Sequence, residues 1–263
     1  MTHEYGTNEP SSLDPRLLER LLAGRNRSMA VHYSRVTSST QHAARALGAS
    51  ATAPFVVVAD EQSAGRGRLD RSWVTPPATA VLMTLALPHP AAHETLRLLP
   101  LLAGTAVAEA LERMAAPVRL KWPNDIVTVV DGRLRKLGGL IAELVDGQVL
   151  IGIGVNVAID DDDLPTADAI ALRQLGIECV REQLIADIVD GIVGRVAVPF
   201  ALDDYRQRCA TIGSAVRVTR VDGSTSTGTA VGVDDDGALL VDDGGSTMRI
   251  TAGDVQHVRP VAP

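Results

Sequence analysis

The sequence predicts an α+β protein, with a mixed, largely antiparallel sheet flanked by helices and a small all-β unit at the C-terminal end. Three observations carry this. Apolar residues recur at helical spacing in two long stretches, Glu94 to Met114 and Arg181 to Tyr205. Between them, short apolar runs are joined by the hairpin signals Asp131-Gly132 and Asp146-Gly147. After Arg208 only short alternating runs remain, separated by Asp222-Gly223, Asp236-Gly237 and Asp243-Gly244.

The elements follow in order. Residues 1–12 are polar, with Gly, Pro and Ser, and are expected to be a disordered tail. Asp14-Pro15 starts a helix whose Leu17, Leu18, Leu21 and Leu22 lead to Gly24. Met29 to Val36 reads as a strand. Ser39 or Thr40 caps a helix through Ala43, Ala44 and Leu47 to Gly48. Phe55 to Ala59 is a strand of the fully buried type, and Ala80 to Leu87 is another. A polar, arginine-bearing loop, Glu61 to Pro77, lies between them. The first long helix presents Leu99, Leu102, Ala103, Ala106, Val107, Ala110 and Leu111 on one face. Val118 to Leu120 and Ile126 to Val130 are short strands, and Leu137 to Val145 pairs with Val149 to Val157. Asp160 to Asp163 mark a solvated loop. The second long helix carries Ile185, Ile188, Val189, Ile192 and Val196 on one face. From Val216 to Val255, valines, leucines and isoleucines, Val231 among them, sit in short runs typical of a small barrel or sandwich. The texture changes near residue 210, which divides the chain into units 13–210 and 211–263.

Composition narrows the function. The 263 residues carry a net charge of -7, which argues against a general nucleic-acid binder. No apolar run approaches the roughly 20 residues that cross a bilayer. Met1 to Asp14 lacks the apolar core of a signal peptide, so a cytoplasmic location with no membrane partner is expected. The two cysteines, Cys179 and Cys209, have no paired spacing and read as reduced and structural. The six histidines form no zinc-type spacing. Aromatic residues are only 3%, so aliphatic side chains fill the core. The chain has two lysines, Lys121 and Lys136. Arginine is a fixed fork and lysine a compact charge, which makes these two positions worth following.

Several stretches could carry chemistry. In Gly65-Arg66-Gly67-Arg68-Leu69-Asp70-Arg71-Ser72-Trp73, glycines let backbone approach an anion while Arg66, Arg68 and Arg71 clamp it. Taken alone, it is equally well a basic surface loop, though Trp73 suggests that its end folds back on the core. Lys121-Trp122-Pro123-Asn124-Asp125 is a tight turn exposing polar heads, or a plain strand connection. In Arg135-Lys136-Leu137-Gly138-Gly139 a lysine precedes two glycines at a sheet end, where it can meet an anion over open backbone amides. No Walker A loop is present. Gly152 and Gly154 leave one strand face without side chains, open to a flat ligand or to a close backbone contact, with Asn156 at the strand end. Ser39-Thr40-Gln41 caps a helix and can also offer hydroxyls to a ligand.

In this order the motifs resemble the biotin protein ligase family, from about Val36 to the C-terminus. The family's Ser-Thr-Asn/Gln segment matches Ser39 to Gln41, and its Gln-x-x-Gly-Arg-Gly-Arg loop matches Gln62 to Arg68. Its Lys-Trp-Pro-Asn-Asp motif matches Lys121 to Asp125, its Arg-Lys-Leu-Gly/Ala-Gly strand Arg135 to Gly139, and its Gly-x-Gly-x-Asn strand Gly152 to Asn156. The resemblance implies a class II synthetase-like catalytic domain that binds biotin and ATP, followed by an SH3-like barrel. It implies formation of biotinyl-AMP with Mg²⁺, then transfer of biotin to a lysine of the biotin carboxyl carrier domain of an acyl-CoA carboxylase. Lys136 and Arg68 would be catalytic. Ser39, Thr40, Gln62, Arg66, Arg68, Gly139 and Gly152 would hold biotin. Arg66, Arg68, Arg71, Trp73, Asn124, Asp125, Lys136 and Asn156 would hold the nucleotide, with Asp125 on the metal. The arginine loop would fold over the intermediate and shield it from water. A monomer or weak homodimer is expected.

Asp70 departs from the family loop, where glycine is common, and puts the turn there in question. About 28 residues precede the first strand, too few for a helix-turn-helix, so no repressor role is expected. Two alternatives stand beside this one. A lipoate or octanoate ligase shares the architecture but takes a greasy substrate without a ureido group. A nucleic-acid binder would use the arginine loop and the β-rich unit.

Overall fold

The structure, a computed structural model, describes residues 10–48, 54–68, 71–88, 93–198, 201–220 and 223–257. Asp70 and residues 1–9 of the expected tail lie outside them.

Helix α1 (Pro15–Gly24) begins where the side chain of Asp14 accepts from the backbone N–H groups of Arg16 and Leu17. It buries Leu18 and Leu22. Then follow β1 (Ala30–Thr37), α2 (Thr40–Gly48), β2 (Phe55–Gln62), β3 (Ala80–Pro88), α3 (His93–Glu112), β4 (Val118–Lys121) and β5 (Asp125–Val130). After β6 (Arg133–Val145) and β7 (Gln148–Asn156) come α4 (Arg181–Val196) and α5 (Asp203–Arg208). The chain ends with β8 (Ala215–Thr219), β9 (Thr225–Val233), β10 (Leu239–Asp242), β11 (Thr247–Ile250) and β12 (Asp254–His257).

Strands β1 to β7 form one sheet in the order β1-β2-β3-β7-β6-β5-β4. Among the described residues, only β1 and β2 pair in parallel within it. The hairpin residues Asp131, Gly132, Asp146 and Gly147 all have positive φ, as the tight turns require. Alternation along β2 sorts its residues between two faces. Val56 and Val58 join the main core with α1, α3 and α4, while Phe55 and Val57 pack with Ala44 of α2. Helix α2 covers only part of its face, over β2, β3 and the start of β7. The rest of that face stays open and forms the wall of the cavity described below.

The second long helix is shorter than its periodicity predicts. It stops at Val196, and Tyr205 belongs to the separate helix α5. Pro199 lies just beyond, and a residue before proline is driven out of the helical region. The break lets Leu202 and Tyr205 bury themselves in the core.

Strands β8 to β12 form an antiparallel sheet in the order β11-β10-β9-β8-β12. Its Val216, Val218, Leu239, Val241, Ile250 and Val255 belong to the same apolar cluster as Leu101 and Leu120. Val231 does not share that face and is exposed. Both cysteines are free, and burial pushes the Cys179 thiol up to about 12.

Candidate active site

A cavity of about 300 Å³ opens on the uncovered part of the first sheet. Every site residue that the sequence singled out lines it. They come from α2, the loop after β2, the β4–β5 turn, β6 and β7.

One end is polar. Ser39 and Thr40 are buried at the start of α2. The Thr40 backbone N–H donates to Gln62 Oε1 at 2.8 Å, and Thr40 Oγ1 lies 3.1 Å from the same oxygen. Behind them, Thr84 Oγ1 lies 2.9 Å from Thr40 Oγ1 and 3.2 Å from Gln41 Oε1. Gln41 donates from Nε2 to the Leu150 carbonyl at 3.3 Å.

The middle is a strip of open backbone. A Cβ on Gly152 would fall 2.6 Å from Gln41 Oε1, and one on Gly154 would fall 2.6 Å from Trp73 Cε2. Glycine at both positions lets Gln41 and the Trp73 indole lie directly on the strand. The end of the arginine loop therefore does fold back onto the sheet. Trp73 Nε1 is buried with no hydrogen-bond partner.

The other end is cationic. Lys136 and Gly139 face the cavity although three residues apart, which regular strand alternation does not allow. A register shift solves this. Ile126 pairs with Gly138 and Val127 with Lys136, so Leu137 is an extra residue that turns into the core. The backbone groups freed at the bulge are taken up nearby. Lys136 N–H donates to the Asp168 carbonyl, and Ile170 N–H donates to the Lys136 carbonyl. Lys136 Nζ then sits 2.5 Å from Asp125 Oδ1 and 5.7 Å from the Trp73 ring centre. Lys121 Nζ stands 4.0 Å from Asp125 Oδ2. Both lysines of the chain thus converge on one carboxylate.

The arginine loop closes over this end as a short hairpin, with Arg66 bridged to Ser72. Arg68 Nη1 donates to Asn124 Oδ1 at 3.2 Å and reaches the Gly253 carbonyl at 3.5 Å. Burial holds its guanidinium pKa below the ordinary value, against the pull of Asp125 and Asp254. Arg71 pairs with Asp254 Oδ2 at 2.6 Å, which raises its pKa. Arg66 is exposed at the rim. Asn124 Nδ2 donates to the Leu140 carbonyl, fixing the β4–β5 turn. Asn156 Nδ2 donates to the Ile170 carbonyl, while its Oδ1 is buried without a partner.

Some participants were not singled out from the sequence. Lys121 was noted as one of the two lysines but given no role in the site. Thr84 gave no signal in an apolar strand. Asp254 is distant in sequence, and only the second sheet brings it here. Trp122 lines the cavity, is buried, and donates from Nε1 to the Gly237 carbonyl of that sheet at 2.9 Å.

The arrangement suits two negatively charged groups brought together beside a neutral, hydrogen-bonding head. Comparisons with known proteins give the family. Residues 33–160 match the biotin/lipoate A/B protein ligase family, and residues 211–258 match the biotin protein ligase C-terminal domain. A biotin–[acetyl-CoA-carboxylase] ligase of Mycobacterium tuberculosis is 34% identical, over 78% of this chain and 79% of its own. The bifunctional ligase/repressor BirA of Bacillus subtilis is 31% identical, over 85% of this chain and 73% of its own. Among solved structures, a biotin protein ligase from Aquifex aeolicus in complex with biotin and ATP superposes with a TM-score of 0.73. It is 25% identical, and the match covers 88% of this chain and 99% of that one.

Proposed function

The chain belongs to the biotin protein ligase family, and from that premise we propose how its own residues carry out the reaction. It is a biotin ligase that uses ATP. In the first step a biotin carboxylate oxygen attacks the α-phosphorus of ATP. The bond from that phosphorus to the bridging oxygen breaks, and pyrophosphate leaves. In the second step the amine of an acceptor lysine attacks the carbonyl carbon of biotinyl-AMP. The amide forms, AMP leaves, and the amine loses a proton.

The observation that carries this reading is the bulge that sets Lys136 between the glycine strip and the arginine loop. Two anions must approach each other before they can react. A fixed cation where charge gathers in the transition state is the largest usual catalytic contribution. Lys136 supplies it, and Arg68, half-buried above, supplies a second. Thr40 and Gln62 meet the ureido head. Trp73 and Asn156 border the nucleotide, and the unpartnered Asn156 Oδ1 offers an acceptor to it. Arg71 faces the phosphates once they draw it from Asp254. The closed loop keeps water from the anhydride.

A resident magnesium ion does not fit these side chains. Asp125 offers one carboxylate, already paired with Lys136 and near Lys121. Among the described residues, no three His, Cys, Asp or Glu side chains group to hold a metal. Magnesium is therefore proposed to arrive as part of the nucleotide substrate.

The acceptor is proposed to be a biotin carboxyl carrier domain. The polar head end, with Ser39, Thr40, Gln41 and Gln62, disfavours a lipoyl or octanoyl tail. Burial of Arg68 removes much of the support for a nucleic-acid role. No described helix is long and apolar enough to cross a membrane. The test is incubation of the protein with biotin, ATP, magnesium and a purified carrier domain. A mass gain of one biotinyl group on the carrier's lysine is expected. A gain with lipoate and none with biotin would overturn the reading.

A further inference from the structure

Strand β3 is apolar apart from Thr84, and that threonine is completely buried. Thr84 does not line the cavity. It lies behind Thr40 and Gln41, which do. Its hydroxyl belongs to a set of three contacts that share two hydroxyl protons: Thr40 Oγ1 to Gln62 Oε1 at 3.1 Å, Thr84 Oγ1 to Thr40 Oγ1 at 2.9 Å, and Thr84 Oγ1 to Gln41 Oε1 at 3.2 Å. A hydroxyl proton rotates freely but serves one acceptor at a time.

Three assignments are possible. If Thr40 donates to Gln62 and Thr84 donates to Thr40, the buried oxygen of Gln41 has no donor, a situation folded proteins avoid. If Thr40 donates to Gln62 and Thr84 to Gln41, two hydroxyl oxygens face each other at 2.9 Å with no proton between them. If Thr84 donates to Gln41 and Thr40 donates to Thr84, every acceptor is served. Gln62 Oε1 does not need the Thr40 hydroxyl, because the Thr40 backbone N–H already reaches it at 2.8 Å. The orientation of Gln41 is itself fixed, since its Nε2 donates to the Leu150 carbonyl. Gly152 leaves the space that the Gln41 oxygen occupies.

We propose that Thr84 and Gln41 are positioning residues that set the direction of hydrogen bonding at the head end of the cavity. With its proton drawn back to Thr84, the Thr40 hydroxyl presents lone pairs to the ligand. With its oxygen held by Thr40, Gln62 presents its Nε2 amide protons. An acceptor beside a donor complements one –NH–C(=O)– edge of a cyclic urea. This inference rests on the reading of the cavity as a biotin site and adds what selects the urea there.

Thr84→Val keeps the side-chain shape and removes the hydroxyl, whereas Thr84→Ser keeps the hydroxyl. Pyrophosphate release, with biotin and ATP varied in turn, separates the two substrates. Thr84→Val is expected to raise KM for biotin about five- to tenfold, leave KM for ATP within about twofold, and remain folded by thermal melting. Thr84→Ser is expected to restore the wild-type KM for biotin. A biotin KM unchanged in Thr84→Val, or no better in Thr84→Ser, would overturn the proposal. Should Thr84→Val fail to fold, Gln41→Met removes the acceptor instead. The same biotin-selective rise is then expected, and its absence is decisive against the proposal. A wild-type protein that releases no pyrophosphate in response to biotin would instead sink the functional reading on which this one stands.

Discussion

Replacing Lys136 with Ala removes the ammonium group that the bulge at Leu137 aims into the cavity, and its effects on folding and on chemistry separate cleanly. In the free protein the Lys136 side chain is 39% exposed and its partner Asp125 is 22% exposed. Water screens such a pair, so its loss changes stability by no more than about 1 kcal/mol. Lys121 also remains 4.0 Å from Asp125 to share its charge. During the reaction the same ammonium faces a carboxylate and a phosphate at once. Two unit charges about 4 Å apart repel by about 4 kcal/mol at an effective dielectric constant of about 20. Loss of one preorganised group aimed at developing charge costs about 10²–10³ in rate. The two figures agree in size. Quenched-flow measurement of pyrophosphate release, with biotin and ATP saturating, should show that loss, while the melting temperature moves by only a few degrees. A rate within threefold of wild type would refute the assignment. A collapse of the melting temperature with a proportionate fall in active protein would show that the role is structural.

Three further perturbations follow. Gly154→Val places a side chain where the Trp73 ring lies, with its Cβ 2.6 Å from the ring; the loop should lift and biotinyl-AMP should escape into solution, seen as free adenylate after gel filtration. Trp122→Phe keeps a six-membered ring but removes the rest of the buried indole and strands the Gly237 carbonyl; unfolding in urea should show a loss of at least about 1 kcal/mol, and an unchanged midpoint would mean the bond contributes nothing. Asp60→Ala leaves buried Arg181 without its partner at 2.8 Å, which should cost about 3–5 kcal/mol in denaturant unfolding. Asp60 also predicts a pH effect. Burial alone would raise its carboxyl, but hydrogen bonds from Tyr33, Arg181 and the Leu13 N–H hold it below the usual range. The folded pKa is thus the lower one, so this stabilisation is present above about pH 4 and is lost as pH falls further towards the folded value. Acid titration of stability should be shallower in the variant.

Much of this was legible in the sequence because local rules decided it. Asp14-Pro15 capped a helix, and the Asp-Gly pairs at 131–132 and 146–147 took positive φ at their turns. Alternation and helical spacing marked the strands and α3. The site motifs were readable because glycine spacing and clustered cations have few other uses. What was hidden depends on contacts between distant residues. The Leu137 bulge shows only once β5 is paired with β6, and the Asp254 contact with Arg71 spans 183 positions. Thr84 looks like any strand threonine until α2 is laid across it. The end of α4 was misplaced because a periodic apolar pattern continues past Val196, while the proline that breaks it carries no period of its own.

The claim at the centre is that cationic side chains let a biotin carboxylate and the α-phosphate of ATP join before any acceptor is present. Exchange of labelled pyrophosphate into ATP tests this directly. The protein, magnesium and ATP should exchange label only when biotin is added, with no carrier in the tube, and Lys136→Ala should slow the exchange about 10²–10³-fold. Label that enters ATP equally well without biotin, or not at all with it, would contradict the claim.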